Sequence, residues 1–213
     1  MKHPDLFKRY ESLVNGSDRA FQRMAKDYVH EIKCKRGCSD CCHAVFGLFL
    51  VEAFSLKESF DALDRKERRK ILARCDKAER DLQRMQEKHK SSIHEGGDAA
   101  DVLGKERLSC PLLSDRAVCL LYFHRPITCR VYGIPTAIRG KARVCRQGGF
   151  KEGTSYPAFN LDHVQKELYL LSRELLARHG TADPEKASLL ISVSTALKTP
   201  LEDIIAKSFV SIG

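Results

Sequence analysis

The sequence predicts a mainly α protein, a helical domain whose cysteine-rich centre contains a short β-hairpin. Three observations predict it. Apolar residues recur at helical spacing through both ends of the 213-residue chain. Between Ser109 and Phe150 that rhythm stops, and proline, glycine and cysteine punctuate short apolar pieces. Eight of the nine cysteines gather in two blocks, Cys34 to Cys42 and Cys110 to Cys145, and the second block falls inside the irregular centre.

The elements follow in order. Residues 17 to 32 read as a helix, with Ser17 as N-cap and Phe21, Met24, Tyr28 and Ile32 on one stripe. A helix is expected from about Val51 to Leu63, then a turn at Asp61 to Asp64. Residues 64 to 90 give the clearest long helix. Asp64 and Glu67 have capping-box spacing, and Ile71, Cys75, Ala78, Leu82, Met85 and His89 form a heptad-like seam that needs a partner helix. Residues 91 to 109 read as a polar loop. Leu112 to Leu121 is the expected hairpin, turning near Asp115, and Arg125 to Tyr132 a short helix with Pro126 near its start. In the last third, Leu161, Val164, Leu168, Leu171 and Leu175 form one stripe, and Gly180 supplies the stop. Asp183-Pro184 starts a further helix expected to hold Leu189, Leu190, Val193 and Leu197, and Thr199-Pro200-Leu201-Glu202 starts another. One domain over residues 1–213 is expected, its cysteine-cluster core about 34–146, flanked by the N-terminal helix (17–32) and C-terminal helices (160–210).

Composition narrows the class. Residues 43% hydrophobic and 31% charged are those of an ordinary globular chain. The longest uncharged apolar run, Ala44 to Val51, is far short of the roughly 20 residues a membrane span requires. Met1 to Arg9 carries Lys2, Asp5, Lys8 and Arg9 and no long apolar run, so no secretory signal and a cytoplasmic location are expected. In a reducing cytosol, closely spaced cysteines serve as metal ligands or redox centres more often than as disulfides. An odd total of nine also forbids complete pairing within the chain. The net charge of +9 permits an acidic partner or nucleic acid, and places cations near thiolates, where they favour the ionised form. Nucleic acid has weak support, because the chain holds no Trp and does not interleave aromatic with basic residues.

The candidate metal ligands are Cys34, Cys38, Cys41 and Cys42, spaced C-x3-C-x2-C-C, with Cys110, Cys119, Cys129 and Cys145. A soft metal requires several thiolates converging at about 2.3 Å. Gly37 gives the backbone freedom to curl around an ion. Neighbouring side chains such as Cys41 and Cys42 tend to point apart. Either one ligates while the other takes a second role, or the pair spans two metal atoms. Eight cysteines suit two four-thiolate sites, or one site plus a structural one. Cys75 stands apart, on the heptad seam, and reads as core. His43 and His124 are secondary candidates to replace a cysteine. Arg125, Arg130, Arg143 and Arg146 are expected to offset thiolate charge, since four thiolates on one divalent ion leave a net negative charge that is costly to bury unpaired. Tyr132 is expected to pack.

Cys34 to Cys38 to Cys41 also matches the spacing by which radical S-adenosylmethionine enzymes hold a 4Fe–4S cluster, but no succession of strand–helix units accompanies it. The fuller pattern adds Cys42, Cys110-Pro111-Leu112-Leu113, Cys119, Arg125-Pro126-Ile127-Thr128-Cys129-Arg130-Val131-Tyr132 and Cys145. Together these resemble the YkgJ-type cysteine-cluster family, over roughly residues 34 to 146. That resemblance implies zinc or iron chelation by these cysteines, and a distant likeness to the cysteine cluster of flagellin lysine N-methylases. The expected function is thus a metal-binding protein carrying an iron–sulfur (4Fe–4S) cluster or iron, as an enzyme or accessory factor in protein modification with a protein substrate or partner. The alternative is a structural zinc domain serving as a protein- or nucleic-acid-binding module. Metal storage or delivery is a third reading.

Overall fold

The computed structural model describes residues 3–35, 37–94, 102, 105–181 and 183–206. Helix α1 (Pro4–Asp27) starts on a proline, whose missing N–H costs nothing at that position. It corrects the expected start at Ser17. That residue is interior and 1% exposed, and its hydroxyl donates to the Leu13 carbonyl at 2.9 Å. A helical serine can satisfy itself on the carbonyl four residues back instead of capping. Leu6, Phe7 and Tyr10 carry the buried stripe toward the N-terminus, and the helix ends before Tyr28 and Ile32.

Helix α2 (Leu50–Asp61) buries residues around most of its circumference, among them Val51, Ala53, Leu56 and Phe60. A helix apolar on several sides belongs in the middle of a fold. Helix α3 (Arg65–His94) begins where its cap predicts, with the Glu67 N–H donating to the Asp64 carboxylate at 2.9 Å. Its seam is real: Ile71 and Cys75 are fully buried. The partner it lacked in the sequence is the short helix Val193–Lys198, α7 below. Lys198 locks the pair by contacting Asp76 at 2.7 Å and Glu79 at 2.6 Å.

Helix α4 (Ile127–Val131) follows Pro126. Strands β1 (Thr136–Ile138) and β2 (Lys141–Arg143) pair antiparallel with Thr136 opposite Arg143, and β3 (Phe159–Asn160) joins β1 in parallel. The β1–β2 turn, Arg139-Gly140, has φ of +50° and +70°, the left-handed pair that a two-residue hairpin favours. The hairpin expected at Leu112 to Leu121 is reduced to a single bridge, Leu113 to Cys119. Its segment is too short and too kinked at Ala117 (φ +55°) to extend a ladder.

Helix α5 (Leu161–Arg178) buries the whole expected leucine–valine stripe, and Gly180 (φ +78°) ends it. Helices α6 (Pro184–Ser188), α7 (Val193–Lys198) and α8 (Leu201–Ala206) complete the described chain. The single helix expected through Leu189, Leu190, Val193 and Leu197 is therefore two. Ile191 spends its backbone on Leu48 instead, in reciprocal bonds of 2.9 and 3.1 Å, and Ser192 recaps the chain by accepting from the Thr195 N–H at 2.9 Å. Of the expected loop 91–109, residues 91–94 extend α3, and 95–101, 103 and 104 lie outside the described residues, as do 207–210 of the expected last helix.

Leu6, Leu48, Val51, Leu56, Ile127, Leu171 and Leu175 share one hydrophobic core drawn from α1, α2, α4 and α5. The cysteine-bearing loops lie at its margin, where Cys110 and Cys119 pack against it. No helix among the described residues is long and apolar enough to cross a membrane.

Candidate metal centre

The two cysteine blocks meet through the backbone first. Residues Asp40–His43 form one turn of 3₁₀ helix, closed by the Cys42 N–H donating to the Ser39 carbonyl at 2.9 Å. The chain leaving this turn runs antiparallel to residues 107–110. Ala44 bridges Arg107, the Leu108 N–H donates to the His43 carbonyl at 3.0 Å, and the Cys110 N–H donates to the Cys42 carbonyl at 2.8 Å. The Leu113–Cys119 bridge folds the next stretch back, and α4 then presents Cys129.

This scaffold gathers five sulfurs. Cys41 lies close enough to Cys129 and Cys42, and Cys42 to Cys119, for each thiol to shift the acidity of the next, and Cys110 feels the charge of Cys119 and Cys41. A cavity of about 80 Å³ opens among them, lined by all five cysteines and Arg125. Cys41 and Cys42 thus face the same space, contrary to the expectation that neighbours diverge. A 3₁₀ turn separates successive side chains by about 120° rather than the near-opposition of a strand.

The thiols do not share one acidity. Hydrogen bonds from Cys129 and then Cys42 hold the Cys41 thiol down to about 3, and Arg125 lowers it further. The Cys42 bond likewise lowers Cys119, with Arg125 again assisting. The donors move the other way: Cys42 and Cys129 are raised by the bonds they give and by burial. Burial pushes Cys110 up to about 12. Cys41 and Cys119 are therefore the more acidic thiols of the set. Arg125 is held for this role. Its guanidinium stacks 3.8 Å from the Tyr122 ring centroid, and its Nε donates to the Tyr122 carbonyl at 2.9 Å.

The other three predicted ligands form a second group. Cys34 lies within the field of Cys38, Cys145 and Cys41; the residue is exposed, but desolvation of its sulfur pushes the thiol up to about 12. The Cys145 thiol donates to the Asp40 carboxylate at 3.4 Å. Cys34 fits because residue 133 is glycine: a Cβ there would stand 2.2 Å from the Cys34 sulfur. The backbone reinforces the approach, with the Gly149 N–H donating to the Glu31 carbonyl at 2.7 Å.

Secondary candidates divide. Cys75 is core, fully buried on α3 and bonded to Ser194. The His43 ring meets the Ser109 hydroxyl at 3.4 Å, and among the described residues no hydrogen bond joins His43 or His124 to a cysteine. Arg130 is engaged in scaffolding, donating to Asp18 at 2.7 Å and to the Arg125 carbonyl at 2.7 Å. Arg143 and Arg146 line a separate cleft, with Cys145 on its wall. Tyr132 accepts from Arg107 at 3.2 Å, so it is bonded as well as packed.

Three residues escaped the sequence reading. Arg107 and Asp40 form an ion pair that ties the first cysteine turn to the segment carrying Cys110. Only the position of Asp40 between Cys38 and Cys41 signalled it. Glu52 is 3% exposed and has no cationic partner among the described residues. It accepts from the Phe49 N–H at 3.3 Å and the Ile127 N–H at 3.0 Å, joining the start of α2 to the start of α4. Burial raises its carboxyl to about 7. Its spacing from Phe49 is that of a capping glutamate, a signal hidden by the absence of Ser or Thr at the cap.

Among the described residues, no group of three or more His, Cys, Asp or Glu side chains has the arrangement of a metal-ion site. The donor set nonetheless fits a soft metal by its chemistry: five cysteines from both blocks line one cavity, with a cation beside them. Comparison with family models, curated proteins and solved structures returns no match.

Proposed function

We propose that this protein binds a soft metal, as an iron–sulfur centre, through Cys41, Cys42, Cys110, Cys119 and Cys129. One observation carries the reading. Sulfurs from two separate blocks of chain line a single cavity, and two of their contacts, Cys41 to Cys129 and Cys42 to Cys119, cross from one block to the other. Hydrophobic packing alone gives no reason for five thiols to meet. Thiolate ligation does, because each thiol proton in the cavity is one that a metal displaces.

The division of labour follows from the electrostatics. Cys41 and Cys119, whose thiols are held below their ordinary values, are the first donors. Cys42, Cys129 and Cys110 give up protons on loading, so uptake releases acid. Arg125 offsets the growing negative charge. Cys34, Cys38 and Cys145 form a second sulfur group beside the first, suited to a further ligand role. An iron–sulfur centre supplies electron transfer or Lewis acidity when bound. Five sulfurs on one cavity also exceed the four that a mononuclear zinc takes.

Anaerobic purification tests this. The expected product is brown, carries iron and acid-labile sulfide, and loses both in Cys41→Ser and Cys129→Ser. A colourless anaerobic preparation saturated with zinc and lacking sulfide rejects the iron–sulfur form. It favours the second reading, a structural zinc domain acting as a binding module, which the basic chain and its exposed helix faces support.

A further inference from the structure

The molecule holds a second and much larger concavity. A cleft of about 690 Å³ lies between β1, β2, α4, α5 and the chain around Phe46, within the range that takes small organic ligands. Its floor is apolar, built by Phe46, Val131, Ile138 and Leu168. Its mouth is basic: Lys105, Arg107, Arg139, Arg143 and Arg146 all line it, and the one acidic lining residue is the buried Glu52. Arg107 is paired with Asp40, and the Arg139 backbone N–H is held by Asp162. Lys105 and Arg146 are exposed and form no ion pair with a described residue. Gln165, Thr128 and Thr136 add neutral hydrogen-bonding groups to the walls.

From this juxtaposition we infer that the cleft binds an amphipathic anion, an apolar body carrying a carboxylate or phosphate. The body lies on the floor between α4 and α5, and the charged end sits at the mouth against Arg146 and Lys105. A concave wall of one charge sign with low-dielectric sides focuses its field on such a group. An apolar floor removes from water what the anion alone would leave exposed. Neutral apolar ligands gain only the second term, and inorganic phosphate only the first. This inference does not depend on the metal centre.

Titration calorimetry on the full chain tests it, with octanoate, octyl phosphate, 1-octanol and inorganic phosphate as probes. At least one of the two octyl anions is expected to bind saturably, about tenfold or more tighter than octanol. Whichever is tighter identifies the headgroup. Arg146→Gln combined with Lys105→Gln changes only exposed side chains, so it keeps the fold. It is expected to remove most of that preference and leave octanol unchanged. Gln165→Trp fills the cleft and is expected to weaken every octyl ligand about tenfold, with circular dichroism reporting that α5 is intact. Equal affinity for octanol and both anions, no saturable binding of either anion, or binding that survives both variants overturns the inference. None of these outcomes touches metal and sulfide content, so the two readings fail separately.

Discussion

At the scale of single residues, the site is governed by where protons sit among neighbouring sulfurs. Arg125 lowers both Cys41 and Cys119. Arg125→Gln is expected to leave the helical fold intact and lower metal affinity about tenfold, measured by competition with a chromophoric chelator. Cys75 provides the opposite control. It is fully buried on the α3–α7 seam, behind the cavity wall at Ser194, and does not itself line the sulfur cavity. Cys75→Ala is expected to leave metal content unchanged while costing about 1 kcal/mol in denaturant unfolding, through lost packing. Reduced metal content in that variant would show that the site extends into the helical seam.

Glu52 makes a pH-dependent contribution whose sign is fixed by its burial. Its carboxyl stands at about 7 in the fold against an ordinary value of 4.5, so the folded state holds its proton longer than the unfolded chain. The contribution is present in full below about pH 4.5 and has gone once pH rises through about 7, a difference of roughly 3 kcal/mol. Tyr10 is the ionisable neighbour that feels Glu52, and its own titration lies far above this window. Stability is therefore expected to fall between pH 5 and pH 7, with a shallower slope in Glu52→Gln. An unchanged slope in that variant would place the proton uptake elsewhere.

At the scale of elements, close approach and borrowed hydrogen bonds decide what periodicity cannot. Gly133 lets the segment after α4 press against Cys34. Gly133→Ala is expected to destabilise the fold by about 1–3 kcal/mol and to speed alkylation of Cys34, followed by mass spectrometry. An unaltered alkylation rate would mean that the sulfur finds room without moving. The sequence made the long elements legible. α3 was marked by a cap and a seven-residue seam, and α5 by one leucine–valine stripe. It misled where a local signal met a competing one. Ser17 looked like a cap, but its hydroxyl bonds within the helix. The helix expected after Asp183 is cut because Ile191 pairs with Leu48, far away in the chain. The hairpin at 136–143 was hidden because Arg139 gives no sign that it takes a left-handed turn. The eight cysteines were all legible from spacing. Their division into five and three was not, since it follows from a 3₁₀ turn and from Asp40, which engages Cys145.

At the scale of the whole molecule, the helical core and the sulfur cavity are adjoining structures. The core of α1, α2, α4 and α5 is built from fully buried aliphatic side chains such as Leu6, Val51, Leu171 and Leu175, and Cys110 and Cys119 pack at its edge. Removing metal under reducing conditions is therefore expected to preserve most of the far-ultraviolet helical signal. Loss of hydrogen-exchange protection should concentrate in residues 38–45 and 105–130. Global unfolding on chelation would instead favour the structural zinc reading.

X-ray absorption on anaerobically purified protein, at the edge of the metal it carries, tests sulfur ligation most directly. A first shell made of sulfur at about 2.3 Å is expected, depleted in Cys41→Ser and Cys129→Ser. A shell of oxygen or nitrogen at about 2.0–2.1 Å, or a fully folded protein that takes up no metal, would contradict it.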